Sequence, residues 1–556
     1  MSWYNEAIFY HIYPLGLTGA PKQNEYTEPV HRLNTLLPWI NHIKEIGCTA
    51  LYIGPLFESV GHGYETTDYK KLDSRLGTNE DLTAFVKACH DKKIKVIFDG
   101  VFNHTGRDFF AFKDIQQNRE NSRYLNWYCN VNFWGNNEYN DGFSYDNWGG
   151  YNLLVKLNQR NPEVQDYICD VIRYWVSEFD VDGIRLDAAD VLDFDFMRAL
   201  RRTAEEVKPD FWLMGEVIHG DYSRWVNGET LHSVTNYALH KALYSGHNDH
   251  NYFEIAHTVK YLQNMGNLDL YNFVDNHDVE RIYTKLSNKA HFTPVHILLY
   301  TLPGVPSIYY GSEFGIEDDS LRPALNLEDY ESALSDNPCT ALIAALGKIR
   351  QNTPALSYGS YTELQLTNRQ FAFSRDLDSV RVIVTVNNDD NDAWMNLPAG
   401  NAVEYIGTLT GQKVSVEGGH INVRVGANSG EIWVPSEETS VPETFSENKD
   451  SIVKETPVTQ EEVKNEGSAE TKTASASSVP EAASTKEDTD EIPASAEKEP
   501  VNFDPNKAPE DMSIEELQAG ILAKMANNGP VTDQMKKTVY DNIWHDSLVN
   551  WLKSFC

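Results

Sequence analysis

Eight short apolar runs alternate with amphipathic stretches between residues 8 and 356, and this alternation constrains the fold more than any other feature. The runs are IFYHIYPL (8–15), ALYIGPL (50–56), KVIFDGVF (95–102), GIRLDAA (183–189), FWLMGEV (211–217), LHSVTNYAL (231–239), LYNFVDNHD (270–278) and PSIYYG (306–311). Between most of them apolar residues recur at helical spacing, as Leu33, Leu36, Leu37, Ile40 and Ile43 do after the first. Continuous apolar runs suit strands covered on both faces, so the pattern predicts parallel βα units. The simplest closure is a (β/α)8 TIM barrel over 1–104 and 159–356, with an open doubly wound sheet as the alternative.

The rest of the chain differs in texture. Residues 105–158, after the third strand, are rich in Trp, Tyr, Asn and Gly and too long for a plain connection, which predicts a functional insertion. From 357 to 435, runs such as FAFSRD, VRVIVTVNNDD, AVEYIGTL, HINVRV and EIWV predict a C-terminal antiparallel β-domain of sandwich type. Residues 436–500 hold 17 acidic residues against 6 lysines and almost no aromatics, so 436–510 reads as a disordered acidic linker. Ser513 and Glu516 form a capping-box pattern ahead of Leu517, Ile521, Leu522 and Met525, and Gly529-Pro530 stops that helix. Met535, Val539, Ile543, Trp544, Leu548, Trp551 and Leu552 continue at near-helical spacing. The tail 511–556 is therefore expected to be a short helical hairpin that docks on the body or on a protein partner.

A net charge of −35 argues against nucleic acid as a partner, because phosphates would be repelled. No apolar stretch approaches the ~18 residues of a membrane span. The start, MSWYNEAIFYHIYPLG, lacks a basic region followed by an uninterrupted apolar one, so a cytoplasmic location is expected. Six scattered cysteines without a CxxC pair indicate neither a zinc site nor a disulfide framework.

Polar residues gather at the C-terminal ends of the predicted strands, where barrel enzymes place their sites. Strand three ends in DGVFNH, strand four in RLDAAD, strand five in Gly215-Glu216, and strand seven in Asp275-Asn276-His277-Asp278. Arg185 and Asp187 are two apart on one strand and so face the same side, where an unpaired charge is costly. Converging carboxylates without Cys or clustered His fit a hard-cation site or glycoside hydrolysis, which needs one ionised and one protonated carboxyl. Trp and Tyr in the adjoining loops favour the second.

DGVFNH, GIRLDAAD, GEVIHG and FVDNHD resemble, in order, the four signature regions of the α-amylase superfamily of glycoside hydrolases (family 13), and PLFESVGHGYETTDYKKLDSRLGT and GVPSIYYGSEFG resemble its accessory regions. AFKDIQQNRENSRYLNWY and LLVKLN are similar to the neopullulanase, cyclomaltodextrinase and maltogenic amylase branch. The resemblance implies that 105–158 is domain B. It also implies Asp187 as nucleophile, Glu216 as general acid/base and Asp278 as third carboxylate. Tyr64, His104, Arg185, His277 and Arg322 would bind substrate, an α-glucan oligosaccharide, with no cofactor required. Arg185 is expected to keep Asp187 ionised. Trp134, Tyr145 and Trp148 are candidates for sugar stacking.

Two departures from the family stand out. Typical endo-amylases carry a Lys-His pair just after the nucleophile, serving a calcium site among other roles, whereas this chain reads Asp187-Ala188-Ala189-Asp190. Asn103 is a candidate calcium ligand without assignable partners. The branch usually carries an N-terminal β-domain, but this sequence begins almost at strand one. The expected activity is retaining hydrolysis of α-1,4 and some α-1,6 bonds in maltodextrins. A 4-α-glucanotransferase or glucan isomerase on the same scaffold is the alternative, and a non-catalytic glucan-binding protein a remote one.

Overall fold

The computed structural model describes residues 2–318, 320–436, 507 and 512–527. The chain divides into two units, Met1–Ser451 and Ile452–Cys556. In the first, each of the eight apolar runs supplies one strand: β1 (Phe9–Ile12), β2 (Ala50–Ile53), β3 (Lys95–Gly100), β4 (Gly183–Leu186), β5 (Trp212–Gly215), β6 (Ser233–Val234), β7 (Tyr271–Asn272) and β8 (Val305–Tyr309). They pair in parallel in the order β6-β5-β4-β3-β2-β1-β8-β7, and a parallel bridge between Thr235 and Tyr271 joins the two outer strands. The result is a barrel, not the open sheet. The sixth run is shorter as a strand than its apolar length suggests, because Asn236 caps a helix from Tyr237 that takes over its second half.

Helices between the strands start where the sequence offers caps. Thr78 and Asp81 form a reciprocal capping box at the head of Asn79–Asp91. Asn161 caps Pro162–Phe179, with proline in the first turn and Asp180 in the left-handed region at its end. Asp193 does the same for Phe194–Val207.

Strand period sets what fills the barrel. Phe9, Ala50, Ile97, Trp212, Met214, Tyr271 and Val305 point inward and form an apolar plug, with the Phe9 and Trp212 rings stacked 5.0 Å apart. On the first four strands the next inward position changes character. It becomes His11 on β1, Tyr52 on β2, Asp99 on β3 and Arg185 on β4, and strand pairing sets Asp99 directly opposite Arg185. A polar layer therefore lies on the apolar plug, at the end of the barrel where the strands finish.

The 105–158 segment carries the helix Phe110–Asn118 and a small antiparallel sheet of His104–Thr105, Tyr151–Lys156 and Asn147–Trp148. Gly149 and Gly150, both left-handed, form the tip between Trp148 and Tyr151. After the barrel come β9 (Ser360–Leu366), β10 (Gln370–Leu377), β11 (Val380–Asn387), β12 (Ala393–Pro398), β13 (Glu404–Gly407), β14 (Lys413–Ser415), β15 (His420–Val425) and β16 (Ser429–Pro435). Six make one antiparallel sheet and β12 pairs with β15 in another, around a core that includes Ile383, Met395, Tyr405, Ile421 and Trp433.

In the second unit a helix spans Ile514–Asn527. The Glu516 N–H donates to Ser513 Oγ (3.3 Å) and the Ser513 N–H to Glu516 Oε2 (2.7 Å), so the expected capping box is present. Most of the acidic stretch and the helix expected over 535–552 lie outside the described residues. No helix among the described residues is long and apolar enough to cross a membrane.

Candidate active site

Arg185 organises the site. It is 3% exposed, and its guanidinium reaches three carboxylates. Nη1 donates to Asp99 Oδ1 and Asp187 Oδ1, each at 2.8 Å, and Nη2 lies 2.8 Å from Glu216 Oε1. The three acids come from consecutive barrel strands, β3, β4 and β5. A planar fork suits this arrangement better than a lysine would, since its terminal nitrogens face different partners. The tight approach of β2 to β3 also depends on Gly54, where a Cβ would sit 2.4 Å from that of Asp99.

The turn after Asp187 adds a second link. Ala188 adopts the left-handed region at φ 46°, and its N–H donates to Glu216 Oε2 at 3.0 Å. Glu216 therefore has one oxygen on the arginine and the other on the peptide that follows Asp187.

Asp278 is held from the opposite side. Arg322 Nη2 donates to its Oδ1 at 2.7 Å, and His277 Nε2 lies 3.0 Å from its Oδ2. The Tyr64 hydroxyl bonds His277 Nε2 and also Asp99 Oδ2. His104 is buried with its Nε2 unpartnered.

The charge balance differs from the sequence expectation at one point. Burial pushes the Asp187 carboxyl well above the usual carboxylate range. Arg185 pulls it down, but Glu216, Asp99 and Asp278 push it up again. One guanidinium shared among three carboxylates does not offset burial at Asp187. For Asp278, burial works against charge, but His277, Arg322 and Arg185 outweigh it and hold the carboxyl far below the usual range. Burial lowers His104 to about 3, so it stays neutral and can either donate or accept.

These groups surround one cavity of about 540 Å³. Asp187, Glu216, Asp278, Tyr64, His104 and Arg322 line it, while Arg185 and His277 support the lining from behind. Its lining also includes apolar side chains, among them Trp148, Leu153, Leu154, Val191, Ile218 and Val279. Of the three aromatic candidates in the insertion, only Trp148 reaches the cavity, with its ring 6.0 Å from that of His104. Trp134 is 97% exposed and away from the lining. Tyr145 is buried, its hydroxyl held by Arg107 (2.6 Å) and Asn152 O (2.8 Å).

Asn103, the candidate calcium ligand, is fully buried. Its side-chain oxygen accepts the Gln159 amide at 3.1 Å, and its nitrogen faces His104 Nδ1 at 3.2 Å. No group of three or more His, Cys, Asp and Glu side chains converges for a metal among the described residues.

Sequence reasoning missed Asp99, Tyr151, Asp190 and Tyr237. Asp99 bonds Arg185, Tyr52 and Tyr64, and its signal was its place opposite Arg185 in the strand pairing. Tyr151 lines the cavity from the start of a strand in the insertion, Asp190 from a short helical turn just past strand four, and Tyr237 from a helix start.

The model of the alpha amylase catalytic domain matches residues 32–354. The chain belongs to the alpha-amylase family. It is a glycoside hydrolase on that evidence, and its relatives agree. It is 32% identical over 411 residues to a cyclomaltodextrinase of Thermoanaerobacter pseudethanolicus, covering 69% of this chain and 71% of the relative. To neopullulanase 2 of Thermoactinomyces vulgaris it is 29% identical over 456 residues, 76% of each chain. Among solved structures, a cyclomaltodextrinase superposes with a TM-score of 0.70 at 25% identity, covering 78% of both chains.

Proposed function

We propose that this alpha-amylase family member cleaves α-1,4-glucosidic bonds of maltodextrins and cyclodextrins with retention of configuration. The observation that carries the reading is the pair of carboxyls, Asp187 and Glu216, bound to the two terminal nitrogens of one buried guanidinium. That geometry suits the short spacing, about 5–5.5 Å, of a double displacement. Glu216 gives its proton to the glycosidic oxygen while Asp187 attacks the anomeric carbon. The C–O bond breaks, a glycosyl ester forms on Asp187, and the leaving sugar departs with the proton. Glu216, now ionised, takes a proton from water, whose oxygen attacks the same carbon and frees Asp187.

The excess of carboxylate over guanidinium charge favours the cationic ring that develops in between. Asp278, held ionised by Arg322 and His277, is placed to grip sugar hydroxyls, and the unpartnered His104 Nε2 offers them a further polar contact. Following the anomeric protons of the first products of maltotriose cleavage tests the reading. The α-anomer is expected first, and initial release of the β-anomer overturns it.

The apolar part of the cavity lining favours a second outcome on the same intermediate. Trp148, Val191, Ile218 and Val279 leave little for water to bond and offer a surface for a sugar ring. Transfer to an acceptor sugar should therefore compete with hydrolysis as maltotriose concentration rises, read as products longer than the substrate.

A further inference from the structure

Arg322, which holds Asp278, does not sit on a barrel strand. It lies in the connection between the short helical turns Ser312–Phe314 and Leu327–Tyr330, whose described residues form no helix or strand. A guanidinium on such a segment needs its backbone fixed from outside if it is to stay on one carboxylate.

The end of β8 supplies that fixing. Tyr309 and Tyr310 are adjacent and buried. The Tyr309 hydroxyl donates to Leu321 O at 2.7 Å, and the Tyr310 hydroxyl donates to Pro323 O at 2.8 Å. These are the carbonyls immediately before and after Arg322. Two other features close the clamp. Gly16 is packed so tightly that a Cβ there would meet Arg322 O at 2.5 Å. The fully buried Arg281 lies over both phenol rings, 5.0 and 5.5 Å from their centroids, and donates to Ser312 Oγ at 3.0 Å.

We propose that Tyr309 and Tyr310 are positioning residues that act through Arg322. By fixing the peptide on both sides of it, they keep its Nη2 on Asp278 Oδ1 and its Nε on His277 O (3.1 Å). The proposal rests on the proposed role of Asp278 in sugar binding, and it gives the YYG stretch a task that barrel closure does not require. Other residues with similar packing could serve a strand end; only a pair of hydroxyls serves these two carbonyls.

The test is a double-mutant cycle on kcat/KM for maltotriose. Tyr309→Phe and Tyr310→Phe keep the rings and remove only the hydroxyls. Each is expected to lower kcat/KM about five-fold, and the pair about 30-fold, as befits hydrogen bonds worth about 1 kcal/mol each. In an Arg322→Ala background the same double change should move kcat/KM less than about two-fold, because nothing is left to position. An equal loss in both backgrounds, or none in the parent, overturns the proposal. A crystal structure of the Tyr309→Phe/Tyr310→Phe variant separates this from failure of the proposed function. Even if the parent cleaves no α-glucan, the Arg322–Asp278 contact should open beyond ~3.5 Å, and an unmoved contact refutes the positioning role.

Discussion

Arg185 offers the sharpest test of how the site is held. Replacing it with methionine keeps much of the volume and removes the positive charge. Asp99, Asp187 and Glu216 then face one another with no cation between them, Asp99 fully closed off from water. Removing one partner of a buried ion pair costs about 3–5 kcal/mol, chiefly for the charge left behind. The variant can escape part of that cost by binding protons, since each unit of pKa rise is worth about 1.4 kcal/mol.

The pH dependence follows in sign. Losing the cation raises the folded-state pKa of Asp187 further above its unfolded value of about 4, because Arg185 is what pulls it down. A raised carboxyl makes the folded state relatively better when protonated. The deficit against the parent is therefore smallest near pH 4 and grows as pH rises towards neutrality. Urea unfolding of parent and variant at pH 7 and pH 5 measures it. A deficit of about 3–5 kcal/mol at pH 7 that shrinks at pH 5 is expected. A deficit below about 1 kcal/mol at both, or one that grows on acidification, refutes the reasoning.

Other outcomes are equally specific. Asp187→Asn should lose several orders of magnitude in kcat while still binding maltotriose by calorimetry; cleavage at the parent's rate would remove Asp187 from the chemistry. Trp148→Ala should raise KM about 5–10-fold by loss of ring contact, whereas Trp134→Ala should leave kinetics unchanged. Burial holds the side chains of His240 and His247 down to about 3 and of His296 to about 4. They are neutral when folded but take protons near pH 6.5 when unfolded, so the stability they retain is full above that pH and falls as pH drops towards 4. A melting temperature that declines from pH 7 to 4.5, and declines less in His296→Phe, is expected; identical slopes would rule the histidine out as a cause.

The barrel was legible because strands buried on both faces leave continuous apolar runs, and eight such runs admit few closures. The site was legible where its groups are charged and lie at strand ends, as Asp187, Glu216 and Asp278 do. It was not legible where geometry rather than residue type decides. Trp134, Tyr145 and Trp148 look alike in sequence, and only the hairpin register turns Trp148 to the cavity. The shared arginine could be predicted to face Asp187, but not to divide its charge among three acids, because that depends on the register of β3, β4 and β5. Five of the C-terminal strands, β10, β11, β13, β15 and β16, were foreseen, while β9, β12 and β14, which carry few buried residues, were not.

The left-handed turn at Ala188 has a consequence for how such an enzyme can change. The bond from its peptide to Glu216 spans two neighbouring strand ends and involves no residue of the long connections. The two carboxyls proposed to react are thus one mechanical part, carried by the barrel alone. Lineages can lengthen, shorten or exchange the surrounding loops to suit a linear, cyclic or branched glucan without retuning the distance over which the chemistry happens. Variation in substrate and constancy of reaction are, in this architecture, assigned to different pieces of backbone.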